Sequence, residues 1–516
     1  MELIKRNIHM DCLKCKASIQ ITLEDDINIS DSRPDALKLI MDRGNVVIEE
    51  VKVTDDHVGV KGKLKVNILY LTEGRNDAAA MEGEVPFDEQ IYMEGIESGD
   101  NVSVSWEIED LSTGLINSRK FSVQSVLLLK AVCEEIRDEE TAVDISGNEP
   151  VEFRRKSLNI ASMVMKKKDI FRVKEEVEIP GSFPNIFSMI WWEIDPSEVE
   201  FKMLDDKIAV QGEIRAFFLY RGEGEEEEIC HYETILPFAG SLGCDGAREG
   251  MIPEIRYAAE SKEVVVRPDF DGEERVITFE LCLNMDICAY EEEQIDILSD
   301  VYGVVQETSV MERDAGFRSY LGRSSGKMKL SEHFKAEEGT QIGKILHTSG
   351  NLQVADTSLT ENGIEITGAL NLQILFESSS EGSRFGLIRG EIPFSYVLEA
   401  EGIGKDCVYP VLADATQIAV SIIDSDEVDV KCVLFFRTNI YREWNEKIVE
   451  QISTSELDSE KMDSLPGIAI YVVREGESLW DIGKRYYVPI SVIKQTNELT
   501  ADEVKAGDRI LIMRNV

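Results

Sequence analysis

His9, Cys12 and Cys15 in "HMDCLKC" stand at ligand spacing near the start of the chain, where thiols and an imidazole could hold a soft metal or carry redox chemistry. A CxxC pair supplies two ligands, and a structural zinc needs four. Internal repetition, set out below, places Cys12 against Ser162 and Cys15 against Met165, so the plan of the chain requires no metal and none is expected. "GRSSGKM" (322–328) ends in Gly-Lys like a phosphate-cradling loop, but its spacing is one residue short and Met328 stands where a Ser or Thr belongs. It reads as a polar linker. The five histidines (His9, His57, His231, His333 and His347) fall in no nucleophile or metal motif. Carboxylates are so frequent that pairs close in sequence say nothing, and "EGEEEEIC" (223–230) reads as a solvated hairpin loop. No catalytic residue and no cofactor is expected. Cys133, Cys230, Cys244, Cys282, Cys288, Cys407 and Cys432 include several in apolar strand runs, as reduced core residues are. Cys12, Cys15 and Cys244 are the thiols expected to be exposed and able to cross-link.

The elements that position these groups have to be found in a chain of 516 residues, enough for three or four domains. Its net charge is −44, and residues 467–516 are balanced, with seven basic and seven acidic residues, so the acidic excess lies before them. Nucleic acid and anionic membranes reward positive charge, so neither is an expected partner. A basic protein surface would be a fitting one. No apolar run approaches the roughly eighteen residues that a membrane span needs. "MELIKRNIHMDCLKCKASIQ" has no signal-peptide core, which places the chain in the cytoplasm.

Three segments repeat one plan: "DDHVGVKGKLKVNILYLTEG" (55–74), "DDKIAVQGEIRAFFLYRGEG" (205–224) and "ENGIEITGALNLQILFES" (361–378). Gly62, Gly212 and Gly368 correspond, and "EVPF", "ILPF" and "EIPF" put Pro86, Pro237 and Pro393 in the same register. Each copy alternates with period two. Val58, Val60, Leu64, Val66, Ile68 and Tyr70 share one face, with Ile208, Val210, Ile214, Ala216, Phe218 and Tyr220, and Ile364, Ile366, Leu370, Leu372, Ile374 and Phe376 as counterparts. The central Gly marks a bulge or a close crossing. "FSVQSVLLLKAVC", "VITFELCLNMDICAY" and "VDVKCVLFFRTNIY" each supply another strand, and "PDALKLIM" (34–41) reads as a short helix. The fold expected is mainly β, with three tandem β-sandwich-like domains at 1–145, 146–305 and 306–455, a linker at 456–467, and a small α/β (βααβ) module at 468–516. Edge pairing could allow self-association.

The module begins "YVVREGESLWDIGKRYYV" (471–488). Tyr471–Val473 are β-formers, Glu475-Gly476 breaks the strand, and Ser478 with Asp481 forms a capping box for a helix whose Leu479, Ile482 and Tyr486 share one face. A second short helix follows Pro489, and Arg509–Met513 reads as a strand. Trp480 either completes the core or anchors an interface. Leu479, Trp480, Tyr486 and Tyr487 are the interface candidates.

"YVVREGESLWDIGKRYYV…VIKQTNEL…VKAGDRILIM" resembles a LysM domain across 468–514, with Pro489 in place of the usual Ser or Thr cap and Ala506 in place of the usual Pro. That resemblance implies binding of N-acetylglucosamine-containing glycan by two loops, here Gly476, Glu477, Ser478 and Leu479, then Asn497, Glu498 and Leu499. Three acidic repeats with "VxGxLxVxILY" and "E(V/I)PF" patterns followed by a LysM domain resemble the SipL-type family of clostridial spore coat morphogenetic proteins. The family resemblance implies a non-enzymatic scaffold or adaptor in the mother cell, at the forespore surface, whose LysM domain docks on the coat ATPase SpoIVA. The alternative is a peptidoglycan-binding protein that works through the LysM loops.

Overall fold

Alternating hydrophobicity runs through almost the whole chain, and strands follow it. The structure, a computed structural model, describes residues 2–73, 77–147, 150–224, 228–380, 384–457 and 465–514. The first domain holds β1 (Glu2–Asn28), β2 (Ala36–Thr54), β3 (His57–Thr72), β4 (Ala78–Tyr92), β5 (Val102–Asn117) and β6 (Lys120–Ser146). Its two antiparallel sheets, ordered β1-β6-β5 and β2-β3-β4, face each other across one core. The second domain repeats this with β7 (Val151–Glu178), β8 (Ile186–Leu204), β9 (Lys207–Gly222), β10 (Ile229–Gly243), β11 (Ile252–Pro268) and β12 (Glu274–Gly303), in sheets β11-β12-β7 and β10-β9-β8. In the third, β13 (Gln306–Lys335), β17 (Cys407–Val408) and β18 (Val411–Asp424) pair with β19 (Glu427–Glu456), opposite a sheet of β14 (Ile342–Thr360), β15 (Gly363–Ser378) and β16 (Phe385–Glu399). Three tandem sandwiches is therefore the fold.

The eighteen alternating residues of β3, β9 and β15 are all buried in the three sandwich cores. The repeated Gly and the repeated Pro-Phe explain each other. Gly62, Gly212 and Gly368 lie directly opposite Phe87, Phe238 and Phe394 in the register, and each Phe ring covers its Gly. A Cβ on Gly62 would come within 2.8 Å of the Phe87 ring and 2.5 Å of the Val47 carbonyl. The bulge itself is in the neighbouring strand, between Ile48 and Glu50, Ser197 and Glu200, and Val354 and Asp356. Pro86, Pro237 and Pro393 fall on the edge strands β4, β10 and β16, where a missing N–H leaves no ladder bond unmade.

Two expectations are corrected. "PDALKLIM" is not helical: from Ala36 it is the start of β2, which pairs with β3 and buries Ile40 and Met41 against the other two domains. Tertiary burial overrides its helical pattern. "GRSSGKM" is no linker but the middle of β13, paired with residues 434–440 of β19. Of the acidic loop at 223–230, residues 225–227 lie outside the described residues.

β1 pairs with β6 from Asn28↔Lys120 to Glu2↔Ser146. A strand of this length spans about 90 Å at 3.3–3.4 Å per residue, far more than a sandwich covers. Beyond the sandwich the pair continues as a two-stranded ribbon, and β7/β12 and β13/β19 do the same. A lone ribbon is barely stable in water. These three bury their apolar faces together, in layers contributed by register-equivalent residues. Ala142, Leu298 and Val449 make one layer and Ile145, Val301 and Ile452 the next. Ile8, Leu158 and Ala315 form another, beside Met10, Ile160 and Phe317. The three inner sheets also meet through equivalent residues: Ile40, Ile190 and Leu346; Leu69, Leu219 and Leu375; and Ala78, Ile229 and Phe385. The chain is a pseudo-threefold body folded from one polypeptide.

Candidate functional site: the C-terminal module and its seat

The C-terminal module is a two-stranded sheet, β20 (Ile468–Val472) with β21 (Arg509–Met513), and two helices, α1 (Leu479–Tyr486) and α2 (Ile490–Thr496). Val473, Leu479, Ile482, Val488, Ile493, Ile510 and Ile512 form its core. The Ser478 side chain accepts from the Asp481 N–H, and Asp481 accepts in turn from the Ser478 N–H at 2.9 Å, so the capping box is complete. Pro489 begins α2 without a side-chain cap.

The residues given to glycan binding largely hold the module together. Glu477 accepts from the Tyr471 hydroxyl (2.7 Å), the Arg474 N–H (3.0 Å) and Arg485 (2.8 Å), and the Tyr471 hydroxyl and these donors hold its carboxyl down to about 2. Asn497 donates to the Ile493 and Leu511 carbonyls (2.8 and 2.7 Å) and accepts from the Leu511 N–H (2.7 Å), tying α2 to β21. Leu479 is buried in the core and Leu499 packs on it. Gly476 and Glu498 turn the chain with positive φ (81° and 52°) and are exposed. Tyr486 packs edge-on against Tyr471, and Tyr487 ends α1 in the left-handed conformation, its N–H bonded to the Gly483 carbonyl.

Trp480 is buried, and what covers it is the second domain's ribbon. Its indole N–H donates to Asp300 at 2.7 Å, and Lys484 grips both oxygens of the same carboxylate at 2.7 and 2.8 Å. The Tyr302 ring meets the indole edge-on at 4.9 Å, and Arg154 lies 5.5 Å from the indole centroid. The Tyr302 hydroxyl donates to the Val488 carbonyl at 2.9 Å. Gly483 lets it in: a Cβ there would stand 2.6 Å from that hydroxyl. The interface candidates thus separate: Trp480 contacts the chain's own body, while Leu479 and Tyr486 serve the module's interior. The face of β20 turned away from the helices is open and apolar, with Ile468, Ile470 and Val472 exposed by 67%, 71% and 53%.

A second cluster, which the sequence reading did not single out, lies where the three domains meet. Arg43 of the first domain bonds to Glu193 and to both oxygens of Asp195 (2.8 Å) in the second. Glu193 also accepts from the Trp191 indole (3.1 Å) and contacts His347 of the third domain at 3.2 Å. Arg389 of the third domain returns to Asp42 of the first at 2.6 Å. Burial works against a charged His347, but Glu193 and Glu233 outweigh it and raise its pKa to about 9. The signal was available: Arg43, Glu193 and Ser349 are repeat-equivalent, and charges interrupt the apolar runs "LIMDRG" and "WWEID".

The CxxC thiols do not converge. Cys12 packs in the inter-ribbon cluster, whereas Cys15 packs on the first sandwich core. His9 sits exposed beside Asp138. Cys244 is buried rather than exposed, its thiol 3.2 Å from the Met165 sulfur. Among the described residues no helix is long and apolar enough to cross a membrane.

Comparison with known families bears on both parts of the molecule. The SipL family model, described as "SipL, SPOCS domain", matches residues 35–116, 185–267 and 341–423, which are β2–β5, β8–β11 and β14–β18, the strands between the first and last of each sandwich. The LysM domain model matches residues 471–512. No curated protein and no solved structure matches the chain. With the order and the number of these domains in agreement, the chain belongs to the SipL type, three SPOCS domains followed by a C-terminal LysM domain.

Proposed function

We propose that this protein is a non-enzymatic scaffold of spore envelope assembly that acts in the mother-cell cytoplasm at the forespore surface. Its pseudo-threefold body presents a LysM domain that docks on the coat ATPase SpoIVA. The observation that carries this reading is the division of labour within the LysM domain. Of the polar side chains in the two loops, Glu477, Ser478 and Asn497 are used in internal bonds, while the open face of β20 offers Ile468, Ile470 and Val472. Apolar, structured surface of that kind suits a protein partner better than a hydroxyl-rich sugar. A glycan reading draws on the exposed turns at Gly476 and Glu498.

The test is binding of the full chain to purified SpoIVA and to sacculi carrying cortex-type peptidoglycan. The expected result is SpoIVA binding that Ile470→Asp weakens at least tenfold, with no co-sedimentation with sacculi. Binding to sacculi alone would restore the glycan reading. SpoIVA binding that survives deletion of 465–516 would move the contact to the SPOCS domains.

A further inference from the structure

Cys15 on β1 and Cys133 on β6 are directly opposed in the antiparallel register. Directly opposed residues of antiparallel strands have Cα atoms about 4.5–5.5 Å apart and point to the same face, within the span a disulfide needs. Both side chains do share a face. Cys133 belongs to the first sandwich core and Cys15 packs against that core. Both are free thiols, Cys133 buried and Cys15 only partly so.

The repeats show what this position holds when no thiol chemistry is present. The equivalent opposed pair is Met165 with Ala289 in the second domain and Gly322 with Ile440 in the third. Of the three domains, the first alone carries cysteine at both partners. All three pairs stand next to a register shift, Leu13/Cys15, Ala289/Tyr290 and Tyr320/Gly322, where the sandwich gives way to the ribbon.

We propose that Cys15 and Cys133 are a redox pair that a peroxide closes into a cross-strand disulfide, stapling the first strand of the first domain to its last. Cys15, the more accessible thiol, meets the oxidant first. Its sulfur attacks the peroxide, the O–O bond breaks, and a sulfenic acid forms with release of water or an alcohol. The Cys133 sulfur then attacks the sulfenic sulfur. The S–O bond breaks as the S–S bond forms, and the hydroxide leaves with the Cys133 proton as a second water. The two sulfurs together lose two electrons and the peroxide gains them. Burial, with Asp100 and Cys15 close by, pushes the Cys133 thiol up to about 11, which disfavours it as the initiating nucleophile. The closed loop holds more than a hundred residues, so the staple removes much freedom from the unfolded chain.

The experiment is peroxide treatment of the full chain carrying Cys12→Ser, which leaves Cys15 as the only thiol in its proteolytic fragment. Alkylation of residual thiols, Glu-specific digestion without reductant and mass spectrometry follow. The expected product joins the Cys15 and Cys133 peptides with loss of two hydrogens, is reversed by dithiothreitol, and is absent in Cys15→Ser. Oxidation also shifts the melting midpoint upward by several degrees. Cys133→Ala, which matches the second domain's Ala289, keeps the fold and loses both effects. A Cys15 that is still fully alkylated, is over-oxidised to sulfinic acid, or is linked to another cysteine overturns the proposal.

Discussion

Replacing Tyr302 with alanine should unseat the LysM domain without unfolding it. Tyr302 is almost wholly buried, and it contributes a hydroxyl bond to the Val488 carbonyl at 2.9 Å and an edge-on ring contact with Trp480. The hydrogen bond contributes about 1 kcal/mol, and a carbonyl left buried without a donor costs about 1–3 kcal/mol. The aromatic pair adds about 1 kcal/mol. Roughly 3 kcal/mol in total shifts the docked-to-undocked ratio about 150-fold. Tyr302→Phe removes the hydroxyl alone and should shift the ratio roughly tenfold. The Trp480 indole N–H, bonded to Asp300 in both variants, reads this equilibrium through its hydrogen exchange rate in NMR, because exchange follows the open fraction even when the closed state dominates. The Ile482 and Ile493 amides, bonded to the Ser478 and Pro489 carbonyls, report the module's own fold and should not move. If indole exchange in Tyr302→Ala rises less than about threefold, the seat does not rest on Tyr302 and the energetic account is wrong. If the two amides accelerate in parallel, the variant has unfolded the module rather than released it.

The buried junction of the three domains gives two of the remaining predictions, and the glycines of the first domain give the last. His347 is protonated up to about pH 9 in the folded protein and only to about 6.5 unfolded, so its contribution is complete below pH 6.5 and lost as pH rises through 9. By linkage this is roughly 3 kcal/mol, and His347→Gln should flatten that part of a melting-versus-pH curve between pH 6 and 10. Arg43→Met leaves Glu193 and Asp195 without their shared cation and should cost about 3 kcal/mol or more in urea unfolding, with Lys262 on Asp195 and His347 on Glu193 limiting the loss. Gly62→Ala, whose Cβ would crowd Val47 and Phe87, should cost about 2 kcal/mol in the same assay, whereas Gly95→Ser, in open space but at φ 82°, should cost less.

The parts of this fold that were legible in the sequence are those fixed by one strand and its immediate neighbours. The period-two faces of β3, β9 and β15, the Gly and Pro-Phe landmarks and the capping box are local, and burial follows them directly. What depends on three distant segments meeting was not legible. Leu69, Leu219 and Leu375 occupy the face opposite the sandwich core, where alternation alone assigns solvent, yet they are buried between domains. The same junction makes a strand of "PDALKLIM", whose spacing suits a helix. In the LysM domain the helical pattern correctly put Leu479 and Ile482 inside, but Trp480 had no partner in its own module to decide its fate. Its partner, Asp300, stands 180 residues earlier on a ribbon that no local pattern shows to reach so far.

Building a threefold body from one chain permits what three identical subunits cannot. In a homotrimer every symmetry-related position carries the same residue, so a cation could never face a carboxylate at its own equivalent position. Here Arg43 and Glu193 are repeat-equivalent and bond to each other. The LysM seat depends on the same freedom. The register places Asp300 and Tyr302 of the second ribbon against Asp144 and Ser146 of the first and Gln451 and Ser453 of the third. The first ribbon keeps the carboxylate, engaged by Arg155, but has no ring to meet an indole, and the third has neither. One seat for one LysM domain is therefore written into three near-equivalent sites by two side chains. The orientation of the module on the body follows from that choice: Trp480 faces inward and the apolar face of β20 is left outward.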